Sequence, residues 1–158
     1  MNLKSILFGG TGTTTILGDV ALALVRLGIG LMMAFGHGMS KLFQPGHFGP
    51  TEQFVQGVSK MGFPAPTFFA WCSALAEFIG GLLVAIGLLT RPAAAVLAIN
   101  MAVAAFITHL HAPVVASQGA SKESALLYLL PALLLLAIGA GRYSFDFLWR
   151  RSFAEPTP

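Results

Sequence analysis

Charged residues are scarce in this sequence, making up 9% of its 158 residues, where a soluble domain carries about 25%. Hydrophobic residues make up 56% and the mean hydropathy is +0.79, which leaves too little polar surface to cover a water-soluble globule. The net charge is only +3, too small for a nucleic-acid footprint and better explained as a signal of membrane topology. These scarcities exclude a cytosolic enzyme domain, a disordered chain and a nucleic-acid-binding protein. They indicate an integral membrane protein.

Cysteine is nearly absent as well. The single cysteine, Cys72, excludes both an intrachain disulfide and a CxxC redox pair. It follows Trp71 in an apolar stretch, a setting typical of a thiol that serves as a packing residue. The chain therefore has no dithiol of its own.

Long apolar runs are what the sequence has instead. Four of them approach the ~20 residues that cross a hydrocarbon core of ~30 Å, and they cover about residues 16–36, 67–89, 92–110 and 124–140. They are rich in Ala and Leu and do not alternate as strands do, so helices are favoured over a closed barrel. The sequence predicts an all-α fold, an integral membrane four-helix bundle in which residues 1–158 form one four-span domain.

The distribution of Lys and Arg around the spans predicts the orientation of the chain. If the N-terminus is inside, the inner side receives five basic residues and the outer side three. The inner set is Lys4, Arg91, Arg142, Arg150 and Arg151, and the outer set is Lys41, Lys60 and Lys122. We expect both termini on the cytoplasmic side.

The longest connection between spans contains an amphipathic segment. Phe54, Val55, Val58 and Met61 fall on one face of a helix, and the segment 62–66 then breaks it with Gly and Pro. This pattern predicts a short helix in the outer interface, either a plain cap on the bundle or a functional gate.

Three polar residues lie inside the predicted spans at the same predicted depth, about 15 Å below the outer surface. They are Arg26, Glu77 and Asn100. Ionisable groups in a span are costly, so we expect an Arg26–Glu77 ion pair with Asn100 filling the remaining hydrogen-bond capacity. Two interpretations stay open: the pair only fixes the register of the helices, or it forms a site that handles protons or a quinol.

The histidines form a second group on the predicted outer side. His37, His47, His109 and His111 all fall there, together with Lys41, Glu52 and Glu123. The group is either a polar mouth above the buried layer or a metal site, although its spacing matches no tight metal signature. Glu123 is also explained as an acidic residue in the first turn of a helix.

Several short motifs, in the same order over about residues 20–148, resemble the DoxX family of small four-helix membrane proteins. They are Gly36-His37-Gly38 followed by Lys41-Leu42, Gly62-Phe63-Pro64, Ala76-Glu77-Phe78-Ile79-Gly80-Gly81-Leu82-Leu83, Gly87-Leu88-Leu89-Thr90-Arg91, Glu123 before Ala125-Leu126-Leu127, and Gly139-x-Gly141-Arg142-Tyr143-Ser144-x-Asp146. The motif from Ala76 to Leu83, which contains Glu77, is the most specific of them.

The resemblance implies a site and a general role. The polar positions of the family fall on Arg26, Lys41, Glu77 and Glu123, which are the candidates for chemistry. His37 and His109, joined by Asn100 from the span analysis, are the candidates for contact with a cofactor, for which a quinone is expected; no metal is assigned. Members of the family include a small subunit linked to a thiosulfate:quinone oxidoreductase and accessory proteins of thiol or quinone stress responses.

Two functions from different classes therefore stay open. The first is a subunit or accessory of a quinone- or sulfur-linked redox system in the cytoplasmic membrane of a bacterium or archaeon, working with a redox-protein partner. The second is a non-catalytic scaffold for an oxidase or periplasmic enzyme, with a homo-oligomer as a further alternative state. A transporter is disfavoured because the inner half of the spans has few ionisable groups besides Asp19 and Arg91.

Overall fold

The computed structural model describes residues 15–152 and consists almost entirely of helices. Lys4, which contributed to the predicted orientation, lies outside the described residues. The helices are α1 (Ile16–Leu42), α2 (Glu52–Lys60), α3 (Pro66–Ile86), α4 (Thr90–Thr108), α5 (Glu123–Ile138) and α6 (Phe145–Ser152). A two-residue antiparallel ribbon, β1 (Phe43–Gln44) with β2 (His47–Phe48), joins α1 to α2.

The prediction of an all-α membrane protein is confirmed. Helices α1, α3 and α4 are long and apolar enough to cross a membrane, and α5 is a shorter apolar helix of 16 residues that contains Pro131. The short helix predicted between the first two spans is α2, which begins at the N-cap Thr51. The first span was predicted to end near residue 36, but α1 continues to Leu42.

The three long helices each contain a wider, π-helical segment. These segments are Met32–Gly38 in α1, Ala76–Gly80 in α3 and Ala104–Thr108 in α4. The first span was given the ~20 residues that cross a hydrocarbon core, whereas α1 continues through its π segment beyond residue 36. Gly38 in this segment lies against the backbone of Phe78, where a Cβ atom would collide, so α1 and α3 meet at their π segments.

The helices pack in chain order, with α1 against α3, α3 against α4, and α4 along α5. The core between them is made of apolar side chains: Leu22, Met33, Val84, Leu97, Met101, Leu129 and Leu135. Large apolar side chains also cover the outside of the helices, as expected for surfaces that face lipid tails. We call the end of the bundle where α1 begins and α3 ends the lower end, and the opposite end the upper end.

A buried aspartate joins the lower end of the bundle to α6. Asp146 accepts hydrogen bonds from the backbone N–H of Leu89 at 2.7 Å and of Thr90 at 2.9 Å. These amides belong to the tight turn between α3 and α4, where Leu89 takes a left-handed conformation with φ of 48°. Because the first amides of a helix have no partner within it, the carboxylate caps α4. The sequence analysis did not predict α6 as a helix.

Replacement of Asp146 tests this cap. We expect Asp146→Ala to lower the free energy of unfolding by about 1–3 kcal/mol, because it leaves two amides of the α3–α4 turn without their acceptor. Asp146→Asn keeps one acceptor and should cost less. The measurement is thermal unfolding in detergent, with the exposed first-turn acid Glu123→Ala as the control that should change little. Equal effects of Asp146→Ala and Glu123→Ala would contradict the cap.

Candidate functional site

The site is centred on Glu77, a carboxylate in the π segment of α3 that is only 3% exposed. Its Oε1 atom accepts a hydrogen bond from Lys41 Nζ at 2.6 Å and a second from Asn100 Nδ2 at 3.0 Å. Lys41 lies in the last turn of α1 and Asn100 in α4. A single carboxylate oxygen thus links the three long helices.

The second oxygen of Glu77 has no such partner. Oε2 is buried and makes no hydrogen bond to any of residues 15–152. A buried charged acceptor without a partner costs several kcal/mol in an apolar surrounding, so a structure rarely keeps one without a role for it. The free oxygen marks the place where a ligand or a water molecule completes the site.

Glu77 lines an apolar cavity of about 460 Å³ between α2, α3 and α4. This volume falls within the ~300–1,000 Å³ typical of small-molecule sites. Apart from Glu77, Lys41 and Asn100, the polar lining consists of Ser73, Thr108 and His109 at its edges, and the rest is largely aliphatic and aromatic. Such a lining, with a few convergent polar groups, suits an amphiphilic molecule with a polar head.

Helix α2 covers the cavity from the upper end. Its residues Phe54 and Val58, followed by Met61, line the cavity, and Val58 is buried there. The Lys41 ammonium lies 4.8 Å from the centre of the Phe54 ring, a cation–π contact that joins the cover to the ion pair. At the other end of α2, the hydroxyl of Thr108 donates a hydrogen bond to the sulfur of Met61.

The cavity opens sideways. Val96 and Ile99 of α4 line it and are 50% and 67% exposed, so they stand at its border with the lipid-facing surface.

A smaller, more polar cavity of about 140 Å³ adjoins the first on the side of α1 and α5. His37 and Tyr128 line it, in edge-to-face contact with ring centres 5.3 Å apart. Lys41, Glu77 and His109 line both cavities, so Glu77 separates an apolar chamber from a polar one. The polar chamber has room for water molecules.

The predicted site residues divide into a group that the structure brings together and a group that it does not. Glu77, Lys41, Asn100 and His109 line the apolar cavity, and His37 lines the polar one. Glu123 is exposed at the start of α5 and lines neither cavity. Arg26 also lies apart from both.

The predicted Arg26–Glu77 ion pair is wrong. Arg26 donates instead to the backbone carbonyls of Ala85 at 3.3 Å, of Tyr143 at 2.6 Å and of Ala140. Ala85 lies eight residues after Glu77 on α3, about 12 Å further towards the lower end. The depth of Arg26 was misjudged because α1 extends past the predicted end at residue 36, which places Lys41 and not Arg26 beside Glu77.

The sequence analysis missed the position of Cys72. This thiol was explained as a packing residue, but it is exposed and lines the apolar cavity. No local pattern in the sequence gives this position, because it depends on how α3 is rotated against α2 and α4. Within the described part of the chain, no three His, Cys, Asp or Glu side chains gather as a metal site would require.

A double-mutant cycle tests the observed ion pair. We expect Lys41→Met and Glu77→Gln to be coupled by about 1 kcal/mol in unfolding free energy, because each removes a partner of the same buried contact. The measurement is unfolding in mixed detergent micelles. Lys60→Met, a change of an exposed lysine on α2, is the matched control and should add independently to Glu77→Gln. Additive effects for both lysines would contradict the ion pair.

Comparison with known proteins gives one family and one relative. The sequence model of the DoxX family matches residues 21–110, a range that holds Lys41, Glu77, Asn100 and the walls of the apolar cavity. The chain is 33% identical over 138 residues to an uncharacterized membrane protein of Mycobacterium tuberculosis, covering 82% of this chain and 81% of that protein. No solved structure matches the chain significantly.

Proposed function

This chain belongs to the DoxX family of membrane proteins, and we propose that it is a small subunit or accessory of a membrane redox system. In this proposal it binds a quinone-type ring in the apolar cavity beside Glu77. The observation that carries the proposal is that Glu77 lines a cavity of about 460 Å³ and keeps a buried Oε2 atom without a hydrogen bond from any of residues 15–152.

The volume and the lining of the cavity fit such a ring. A quinone-type ring is flat and apolar apart from two oxygens, and it needs an apolar slot with one or two polar contacts. The aliphatic and aromatic walls supply the slot, and Glu77 supplies a polar contact. The sideways opening beside Ile99 supports a ligand that arrives from the bilayer.

The residues of the chain have distinct roles in this proposal. Lys41 and Asn100 hold the Glu77 carboxylate in place through Oε1, which leaves Oε2 to contact the ligand. His37 and His109 line the polar chamber behind Glu77, where a proton can leave or reach the carboxylate through water. The bound ring supplies two-electron redox chemistry, and a redox-protein partner completes the reaction.

The assigned roles of Arg26 and Glu123 change accordingly. Arg26 binds three backbone carbonyls at the lower end, so we propose that it positions helices and takes no part in the chemistry. Glu123 keeps only the role of an acidic residue at a helix start.

A non-catalytic assembly partner is the second candidate function. The observation that favours it is the ribbon at the upper end, where Phe43 and Phe48 are exposed side by side with ring centres 5.3 Å apart. On this alternative, blocking the cavity leaves the cellular role intact and only changes at the ribbon abolish it.

We further propose that the protein lies in a cytoplasmic membrane with both termini inside and the covered cavity in the outer half. The count of basic residues supports this orientation. In a Cys72→Ala background, Ser152→Cys should react with an impermeant maleimide only in inside-out vesicles, and Lys60→Cys only in right-side-out vesicles. The reverse pattern would contradict the orientation.

Cys72 provides a direct reporter of ligand binding, since it is the single cysteine and lines the cavity. We expect decylubiquinone, supplied in each redox state, to slow the alkylation of Cys72 by N-ethylmaleimide in a concentration-dependent way. The ring of this probe is fully substituted, so it does not itself add to the thiol. Decane should give no protection.

Two valine variants control the protection experiment. Val103→Phe fills the cavity and should abolish the protection, whereas Val25→Phe, at a 46% exposed position on α1 outside the cavity, should retain it. Failure of decylubiquinone to protect Cys72 in either redox state contradicts the proposed function.

A further inference from the structure

The polar groups that line the apolar cavity differ in their exposure to water and in their hydrogen-bond partners. Ser73, Thr108 and His109 are at least partly exposed, so water can satisfy them. Lys41 is 28% exposed along its side chain and already donates to Glu77. Among the residues that line this cavity, Glu77 is the one with a side-chain atom that is both buried and without a hydrogen-bond partner within residues 15–152, and that atom is the oxygen Oε2.

The chemistry of that oxygen restricts what can approach it. Glu77 forms an ion pair with Lys41, whose ammonium lies 2.6 Å from the other carboxylate oxygen. An ionised carboxylate accepts hydrogen bonds and donates none. A hydroxyl group on the ligand therefore completes the site, whereas a carbonyl group places its lone pairs against those of Oε2.

We propose that the cavity selects the reduced, hydroxyl-bearing form of its ring ligand, a hydroquinone, over the oxidised, carbonyl-bearing form. This inference rests on the proposed function and concerns binding alone. Because hydrogen bonds to charged groups are among the stronger ones in proteins, the reduced form should bind at least about tenfold more tightly.

The variant Glu77→Gln should reverse the selection. Lys41 and Asn100 both donate towards the Oε1 position, so they favour the carbonyl oxygen of the new amide at that place. The amide NH₂ then takes the place of Oε2 and presents a donor to the cavity. A carbonyl-bearing ring gains a hydrogen bond from this amide. If the variant prefers the oxidised ring over the reduced one, the effect is due to this contact and not to a general loss of affinity.

The experiment compares three probes built on the same tetramethylated ring for protection of Cys72 from N-ethylmaleimide without oxygen. The probes are durohydroquinone, duroquinone and the dimethyl ether of durohydroquinone, whose methylated rings do not add to the thiol. We expect durohydroquinone to give half-maximal protection at a concentration at least about tenfold lower than the other two. In Glu77→Gln, duroquinone should protect at the lower concentration, while Glu123→Gln, an exposed acid outside the cavity, should keep the wild-type order.

The outcomes separate this inference from the proposed function. Equal protection by durohydroquinone and duroquinone overturns the selection but leaves ring binding intact. Protection by the dimethyl ether as strong as that by durohydroquinone also overturns it, because the ether cannot donate. No protection by any probe, decylubiquinone included, overturns the proposed function and the inference together. The comparison of the three probes on the wild-type protein decides the matter even if Glu77→Gln fails to fold.

Discussion

The contact of Glu77 with Lys41 and Asn100 is the interaction on which the upper half of the structure depends. It joins α1, α3 and α4 through one carboxylate oxygen and leaves the other oxygen, which is buried, without a hydrogen bond from any of residues 15–152. A buried charge in a membrane helix needs compensation, and the lysine provides it without using the whole carboxylate. The π segments of the three helices lie at this level, where wide turns are frequent near functional sites.

At the lower end of the bundle, the polar side chains of Arg26 and Asp146 bind backbone groups and have a structural role. Arg26 donates to three backbone carbonyls near the ends of α3 and α5, and Asp146 accepts from two amides of the α3–α4 turn. Each of these contacts gives a partner to a backbone group near or beyond the end of a helix. The lower end is therefore a closed structural layer, whereas the layer around Glu77 retains an acceptor for a ligand.

The sequence predicted the architecture because run length and composition determine it, but it did not predict which polar residues meet. The spans and α2 follow from apolar periodicity, and Glu77 stood out as an acid inside a span. The predicted pairing failed because the first span was bounded near residue 36 by the length of its apolar run, whereas α1 continues through a π segment to Leu42 and brings Lys41 beside Glu77. Helix α6 was missed because its pattern is short. No local pattern indicates that Cys72 faces a cavity, since that depends on the rotation of α3 against α2 and α4.

The central claim is that the cavity beside Glu77 holds a redox-active ring from the membrane. The most direct measurement is native mass spectrometry of the gently solubilised protein, with identification of the molecules released from it. The account predicts one ring-bearing lipid per chain in the wild-type protein and in Val25→Phe, and none in Val103→Phe. Phospholipid alone in all three proteins, or a ring lipid retained when the cavity is filled, would contradict it.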